Sequence, residues 1–236
     1  MSKTASRIVS EARNLVAFSG AGLSAESGVP TFRDATTGGL WKRHDPTKLA
    51  SPQGFARDPQ LVVEWYAHRR RAIAQAVPNP AHRALAARDD ILNITQNVDD
   101  LLERAGAQAL VRLHGTLAAD RCDSGCGYRE SIDLADPPSL RSCPRCGDHL
   151  RPDVVWFGET LPANVWEAAE SACRRCDVLL IIGTSAAVHP AAGLIGLAKA
   201  SGAQLIVINT QPSEASELAD IELLGNASAL VPEVLD

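Results

Sequence analysis

Five short apolar runs stand out along the chain, and each closes on small or polar residues. Leu15-Val16-Ala17-Phe18 leads into Ser19-Gly20, Ile91-Leu92-Asn93-Ile94 into Thr95-Gln96-Asn97-Val98-Asp99, and Leu110-Val111-Arg112-Leu113 into His114-Gly115. Val178 to Ile182 leads into Gly183-Thr184-Ser185, and Leu205-Ile206-Val207-Ile208 into Asn209-Thr210. Short runs without apolar/polar alternation read as strands buried on both faces, the habit of parallel sheets. Helical stretches separate them: Pro59 to Ala76, Val98 to Ala105, Ala163 to Arg175 and Ala191 to Ser201. This alternation predicts an α/β fold. Such sheets bind ligands at the carboxyl ends of their strands, where the polar endings lie.

Two regions break the alternation. Residues 30–81 are helical and proline-bounded, and residues 118–155 hold four cysteines. Both read as insertions over the ligand edge of the sheet. No internal repeat or low-complexity tract interrupts the chain.

The first run opens into Gly20-Ala21-Gly22-Leu23-Ser24-Ala25-Glu26-Ser27-Gly28-Val29-Pro30-Thr31-Phe32-Arg33. Gly20-x-Gly22-x-x-Ala25 sits where a dinucleotide-binding turn belongs, between a strand and a helix. Glycines there let backbone amides approach a pyrophosphate, and the helix start adds its positive end. The segment therefore predicts a nucleotide cofactor.

Composition narrows the class. With 236 residues the chain suits one large domain, or one domain with a small insertion. A net charge of −5, with acids and bases interspersed, gives no basic face for nucleic acid and no polybasic membrane patch. No apolar run is long enough to span a bilayer, and Glu11 and Arg13 stand where a signal peptide would need an apolar core. A cytoplasmic protein is the expectation. Six cysteines then point to metal or free thiols rather than disulfides.

Four of them pair as Cys122-x3-Cys126 and Cys143-x2-Cys146, with sixteen residues between the pairs. That spacing, on turns rich in glycine, proline or serine, suits a tetrahedral zinc site. Four thiolates leave no open position for water, so the zinc is expected to be structural. Cys173 and Cys176 form another C-x-x-C pair, but inside a predicted helix, where nothing indicates a reactive thiol.

Taken together, Gly20 to Arg33, Thr95 to Asp99, His114-Gly115, the two cysteine pairs, Gly183-Thr184-Ser185 and Asn209 resemble the sirtuins, NAD-dependent protein-lysine deacylases. The resemblance runs almost end to end. It implies an α/β fold: a Rossmann-like parallel sheet with a small domain made of a helical module and a zinc-ribbon-like module. On that division residues 1–29, 82–117 and 156–236 form the NAD-binding domain, 30–81 the cofactor loop and helical module, and 118–155 the zinc module.

The resemblance also assigns roles. Gly20, Ala21, Gly22, Ala25 and Glu26 fall in the cofactor turn, with Phe32, Arg33 and Trp41 in the flexible cofactor loop. Gln96, Asn97 and Asp99 are expected to line the nicotinamide and ribose pocket, Asn97 as part of the catalytic pair with His114. Gly183, Thr184, Ser185 and Asn209 belong to the ribose side, and Ala227 to the adenine-side wall. Val155-Trp156-Phe157-Gly158-Glu159 matches the segment that pairs with the substrate backbone, so that Val155, Phe157 and Gly158 touch the acylated lysine's chain.

The residues add a chemical reason for consuming NAD. A dehydrogenase of the usual Rossmann kind carries an acid at the end of its second strand, about 20 residues past the glycines. Here that region is Leu40-Trp41-Lys42, in no evident strand. NAD then reads as a substrate: the acyl oxygen attacks the ribose carbon as nicotinamide leaves, and neutral His114 takes a ribose hydroxyl proton.

Tyr66 and Arg69, at i and i+3, share a helix face with Val62 and Ile73. A guanidinium beside a phenol on an apolar face suits a carboxylate. Periodicity leaves Arg69 and Arg70 as alternatives. The Tyr66-x-x-Arg69 spacing, with Ala50 before it, resembles the sirtuin class that removes succinyl, malonyl and glutaryl groups, which favours Arg69. Three departures from the family pattern stand beside this: the three-residue spacing of the first cysteine pair, Leu102 where many members have histidine, and Thr116 where serine is commoner. Two other functions fit the same motifs, protein ADP-ribosylation and a non-catalytic module that binds acyl-lysine or senses NAD. The first would show nicotinamide release without deacylation, and Asn97 with His114 weighs against the second.

Overall fold

A computed structural model describes residues 1–30 and 45–236. Along the chain run α1 (Ser2–Glu11), β1 (Leu15–Ser19), α2 (Gly22–Ala25), α3 (Pro46–Leu49), α4 (Pro52–Arg57), α5 (Pro59–Gln75), α6 (Pro80–Ala86), β2 (Ile91–Thr95), α7 (Leu101–Ala105) and β3 (Leu110–Arg112). Then follow β4 (Gly115–Cys122), β5 (Arg129–Ser131), β6 (Leu150–Val154), α8 (Ala163–Arg175), β7 (Val178–Ile182), α9 (Gly193–Ala200), β8 (Gln204–Asn209), a 3-10 turn (Glu214–Leu218), β9 (Ile221–Leu224) and α10 (Ala227–Leu235).

The large sheet is parallel throughout, in the order β3-β2-β1-β7-β8-β9. The chain steps outward from β1 to β3, then returns to the other side of β1 at β7. Loops after β1 and β7 therefore leave the sheet in opposite directions and open a crevice at their carboxyl ends. Successive residues of these apolar runs feed the two faces in turn. Val16, Phe18, Leu179 and Ile181 pack against α8 and α9, while Leu15, Ala17, Leu180 and Ile182 pack against α1, α6 and α10. Each face is covered by helices, which explains why the runs show no alternation.

All five predicted strands form, and β9 adds a sixth. Ile221-Glu222-Leu223-Leu224 lies at the sheet edge, where Glu222 is tolerated and the apolar signal is short. The helix predicted over Val98 to Ala105 begins only at Leu101. Asp99 Oδ1 accepts from the Leu101 amide at 3.2 Å, and that local bond holds Asp99 and Asp100 in a bend ahead of the helix.

The small sheet, β5-β4-β6, is antiparallel. Against it lies α5, started by Pro59 and by Asp58, whose side chain accepts from the Leu61 amide. Its apolar face, Val62, Trp65, Tyr66 and Ile73, packs on Leu117, Val154 and Trp156. Arg70 is 1 % exposed and staples this helix to β4. Its guanidinium donates to the Leu117 and Ala119 carbonyls and pairs with Asp120 at 2.6 Å, and Asp120 also pairs with Arg141. Deleting one partner of such a buried pair costs about 3–5 kcal/mol, because the other charge is left buried without its counter-charge.

Candidate active site

A cleft of about 1280 Å³ lies where the carboxyl edge of the large sheet meets the small domain. Its floor is the crossing of the β1 and β7 loops. A Cβ on Gly20 would meet Thr184 Cβ at 2.8 Å, one on Gly22 would meet Gly183 Cα at 2.6 Å, and one on Gly183 would meet the Leu23 nitrogen at 2.4 Å. Gly183 also has φ +59°. The Gly20 amide donates to the Ile182 carbonyl and the Gly22 amide to the Gly183 carbonyl. These glycines are thus required by loop-on-loop contact, a reason the strand-turn-helix pattern did not suggest. Among the described residues the Ala21 amide meets no acceptor and remains open to the cleft.

The polar residues after β2 knit into this floor. Gln96 Nε2 donates to Thr184 Oγ1 at 3.0 Å, and Asn97 Nδ2 donates to the Gly20 carbonyl at 3.1 Å and to Ser24 Oγ at 3.2 Å. Asn209 Nδ2 donates to the Thr184 carbonyl, and the Ser185 carbonyl accepts from the Glu214 amide. Asp99 is buried. Desolvation pushes its carboxyl above the ordinary carboxylate value, opposed by hydrogen bonds from the Leu101 amide and Ser24.

His114, just after β3, places Nδ1 3.0 Å from the Gln96 carbonyl. A carbonyl only accepts, so Nδ1 carries the proton and Nε2 keeps its lone pair. Burial holds the ring below the ordinary histidine value, which keeps it neutral. The geometry is that of an oriented base.

The opposite wall comes from the small domain. Ala50 and Tyr66 are buried and Arg69 is half-buried, and all three line the cleft. The Arg69 guanidinium lies 4.9 Å from the Trp65 ring centroid and 5.5 Å from that of Tyr66. Among the described residues it has no hydrogen-bond acceptor and no ion-pair partner. Burial pulls its value down from the arginine norm, with the Tyr66 and Asp99 charges opposing. The structure separates the two arginines that periodicity could not: Arg70 is spent on Asp120, and Arg69 reaches the cleft.

Along the rim run Val155, Phe157 and Gly158. The Val155 amide donates to the His114 carbonyl, the Phe157 amide to the Ala50 carbonyl and the Trp156 amide to Glu159, whereas the Gly158 amide meets no acceptor among the described residues. Ala25, Glu26 and Ala227 also line the cleft. Glu26 does not hold its carboxylate free: it accepts from the Ser228 amide and hydroxyl at the start of α10. Phe32, Arg33 and Trp41 lie outside the described residues. Every other residue expected to touch NAD or substrate lines this one cleft.

Sequence reading missed Ser24 and His82 as site residues. His82 is fully buried in a capping box that opens α6. Its Nδ1 accepts from the Asn79 amide, so Nε2 donates to Ser24 Oγ at 3.3 Å. Ser24 stood within the glycine-rich segment, but nothing in the sequence paired it with a histidine 58 residues on.

Outside the cleft, Cys122 and Cys146 bring their sulfurs to 3.3 Å and Cys126 and Cys143 to 3.6 Å, and all four lie within 4.8 Å of one another. Sulfurs around a tetrahedral zinc, with bonds of about 2.3 Å, stand about 3.8 Å apart, so the four thiols fit a structural zinc. The three-residue spacing of the first pair does not prevent convergence. Cys173 and Cys176 are buried, and desolvation raises their thiols to about 12 and about 11, which keeps them unreactive.

Residues 20–190 match the model of the Sir2 family. A Pseudomonas aeruginosa relative, NAD-dependent protein deacylase 1, is 48% identical over 97% of this chain and 95% of its own length. A Thermococcus kodakarensis NAD-dependent protein deacylase is 45% identical over 98% and 93%. Among solved structures, a Sir2 homologue in complex with NAD superposes with a TM-score of 0.93 at 43% identity, covering 99% of this chain and 92% of that one. Sir2Af2 bound to a myristoylated histone peptide superposes with a TM-score of 0.79 at 29% identity, covering 99% and 94%. Its parallel sheet, its small domain with four converging thiols and its extent of sequence identity place the chain in the Sir2 family.

Proposed function

We propose that this chain is an NAD-dependent protein-lysine deacylase that prefers acyl groups ending in a carboxylate, succinyl and malonyl, and also removes acetyl. The observation carrying the preference is the half-buried Arg69 guanidinium, without an acceptor among the described residues, beside Tyr66 on the cleft wall. A carboxylate satisfies that group by charge-assisted hydrogen bonds, and an acetyl methyl does not.

On this reading the open Ala21 amide and the β1–β7 crossing hold the cofactor's phosphates, and Ser185, Asn209 and Ala227 its adenosine end. NAD, when bound, supplies the ribose carbon that receives the acyl oxygen as nicotinamide departs. Gln96, Asn97 and Asp99 shape the nicotinamide end, with Asn97 fixed by Gly20 and Ser24. His114 takes a ribose hydroxyl proton at Nε2, its ring held by the Gln96 carbonyl. Ala50, small and buried, leaves room for the acyl chain. The peptide backbone pairs along residues 155–158, where the Gly158 amide is open. One water is consumed as the acyl C–N bond breaks, and the products are nicotinamide, free lysine and O-acyl-ADP-ribose.

The test is turnover of one peptide carrying succinyl-lysine or acetyl-lysine with NAD, quantifying nicotinamide and deacylated peptide together. Equal amounts of both, with faster succinyl turnover, are expected. Nicotinamide without deacylated peptide would overturn the reading in favour of ADP-ribosyl transfer.

A further inference from the structure

Tyr66 does not stand alone on the acyl wall. Its hydroxyl accepts a hydrogen bond from Trp156 Nε1 at 2.9 Å, and the two rings lie at 22° with centroids 6.4 Å apart. The indole itself is held from several sides. The Arg151 guanidinium sits 3.8 Å from its ring centroid, and Phe55 packs against it at 5.2 Å. Glu159 accepts from the Trp156 amide at 2.8 Å and pairs with Arg151 and Arg121. Arg151 in turn pairs with Asp123, next to the cysteine cluster.

The proton inventory is decisive. An indole N–H only donates, whereas a phenol has one proton and lone pairs to accept. With Trp156 donating, the Tyr66 proton cannot point toward the indole. Tyr66 is 1 % exposed, and among the described residues its hydroxyl has no second partner. Tyr66 lines the cleft, which is where that proton has room to find an acceptor.

We propose that Trp156 is a positioning residue for acyl selectivity: by donating to Tyr66 Oη it turns the phenol proton into the cleft, making Tyr66 a hydrogen-bond donor to a carboxylate held by Arg69. This inference rests on the carboxylate-acyl reading above. Desolvation raises the Tyr66 phenol above its ordinary value, so the proton stays on oxygen and available for donation. An acetyl group offers no acceptor at that depth and gains nothing from the arrangement.

The experiment compares kcat and KM on succinyl-lysine and acetyl-lysine peptides for wild type, Trp156→Phe, Tyr66→Phe and the double variant, with Arg69→Met as control. Trp156→3-benzothienylalanine, which keeps the bicyclic shape and loses only the N–H, gives the same readout if phenylalanine compromises folding. Expected for the Trp156 variants is a KM for succinyl peptide raised about tenfold at similar kcat, the size of one misdirected hydrogen bond to a charged group, so that the succinyl-to-acetyl ratio of kcat/KM falls by a similar factor. In the Tyr66→Phe background the Trp156 change should add nothing. Equal losses on both substrates, or an undiminished effect without the Tyr66 hydroxyl, would overturn the positioning role. An Arg69→Met variant that keeps wild-type selectivity would instead bring down the carboxylate-acyl reading itself. Normal sensitivity to Arg69→Met with no effect of Trp156 would refute this inference alone.

Discussion

The two walls of the cleft differ in how far their polar groups are satisfied. On the sheet side Gln96, Asn97, Thr184, Asn209 and His114 all bond within the protein, so a ligand meets groups already oriented. On the small-domain side Arg69 meets two aromatic rings but no acceptor among the described residues. The sheet-side groups are therefore oriented before any ligand arrives, while the small-domain wall keeps one charge without an acceptor among the described residues, which on the proposed reading the substrate's carboxylate supplies. On the proposed reading, the contrast separates what every acyl substrate shares from what distinguishes one acyl group from another. Adjacent arginines in α5 repeat it in miniature. Arg70 joins the two small-domain modules through Asp120, and Arg69 is left for the cleft.

The largest effect is expected where the small domain loses its support. Cys143→Ser, or chelation of bound zinc, should abolish turnover of every acyl substrate, since structural zinc contributes about 10–16 kcal/mol to the folding of small metal modules. Metal content and a thermal melt check it. Loss of zinc with an intact melt and activity would make the thiols incidental.

Removing the proposed base, His114, touches the sheet side alone. His114→Ala should lower kcat/KM about 10²–10⁴-fold on succinyl and acetyl peptides alike, without changing their ratio. In wild type the acid limb of kcat/KM should fall below pH 6.5, because burial lowers the His114 value and the neutral base survives further into acid. A limb midpoint above pH 6.5 would contradict a buried, neutral ring.

A smaller effect sharpens the rigidity of the sheet side. His82, held to about 4 by burial, stays neutral in the folded protein while the unfolded chain takes up its proton near pH 6.5. Its folded value is depressed, so stability is lost as pH falls from about 6.5 to about 4, on the order of 3 kcal/mol, and levels off below. Denaturant melts across that range check the slope, which His82→Gln should flatten.

The carboxyl edge of the large sheet was legible because apolar runs and glycine punctuation are local signals. The four thiols were legible for the same reason, spacing within two turns. The small sheet was not. Leu150-Arg151-Pro152-Asp153-Val154 carries no apolar run, and becomes β6 by pairing with β4, with Arg151 held by Glu159, Asp123 and the Trp156 ring. Gly20, Gly22 and Gly183 stood out in the sequence as punctuation after strands, but their close contacts link loops about 160 residues apart and could not be read locally. Ser24 with His82, and Arg69 against Arg70, depended likewise on partners distant in the chain.

The most direct test of the divided cleft is the ratio of kcat/KM for succinyl-lysine to that for acetyl-lysine, measured in wild type and in Arg69→Met. A wild-type ratio above one that collapses in Arg69→Met, through loss on the succinyl substrate with acetyl turnover retained, is the predicted result. A wild-type preference for acetyl, or equal losses on both substrates, would contradict it and leave Arg69 a structural residue of the helical module.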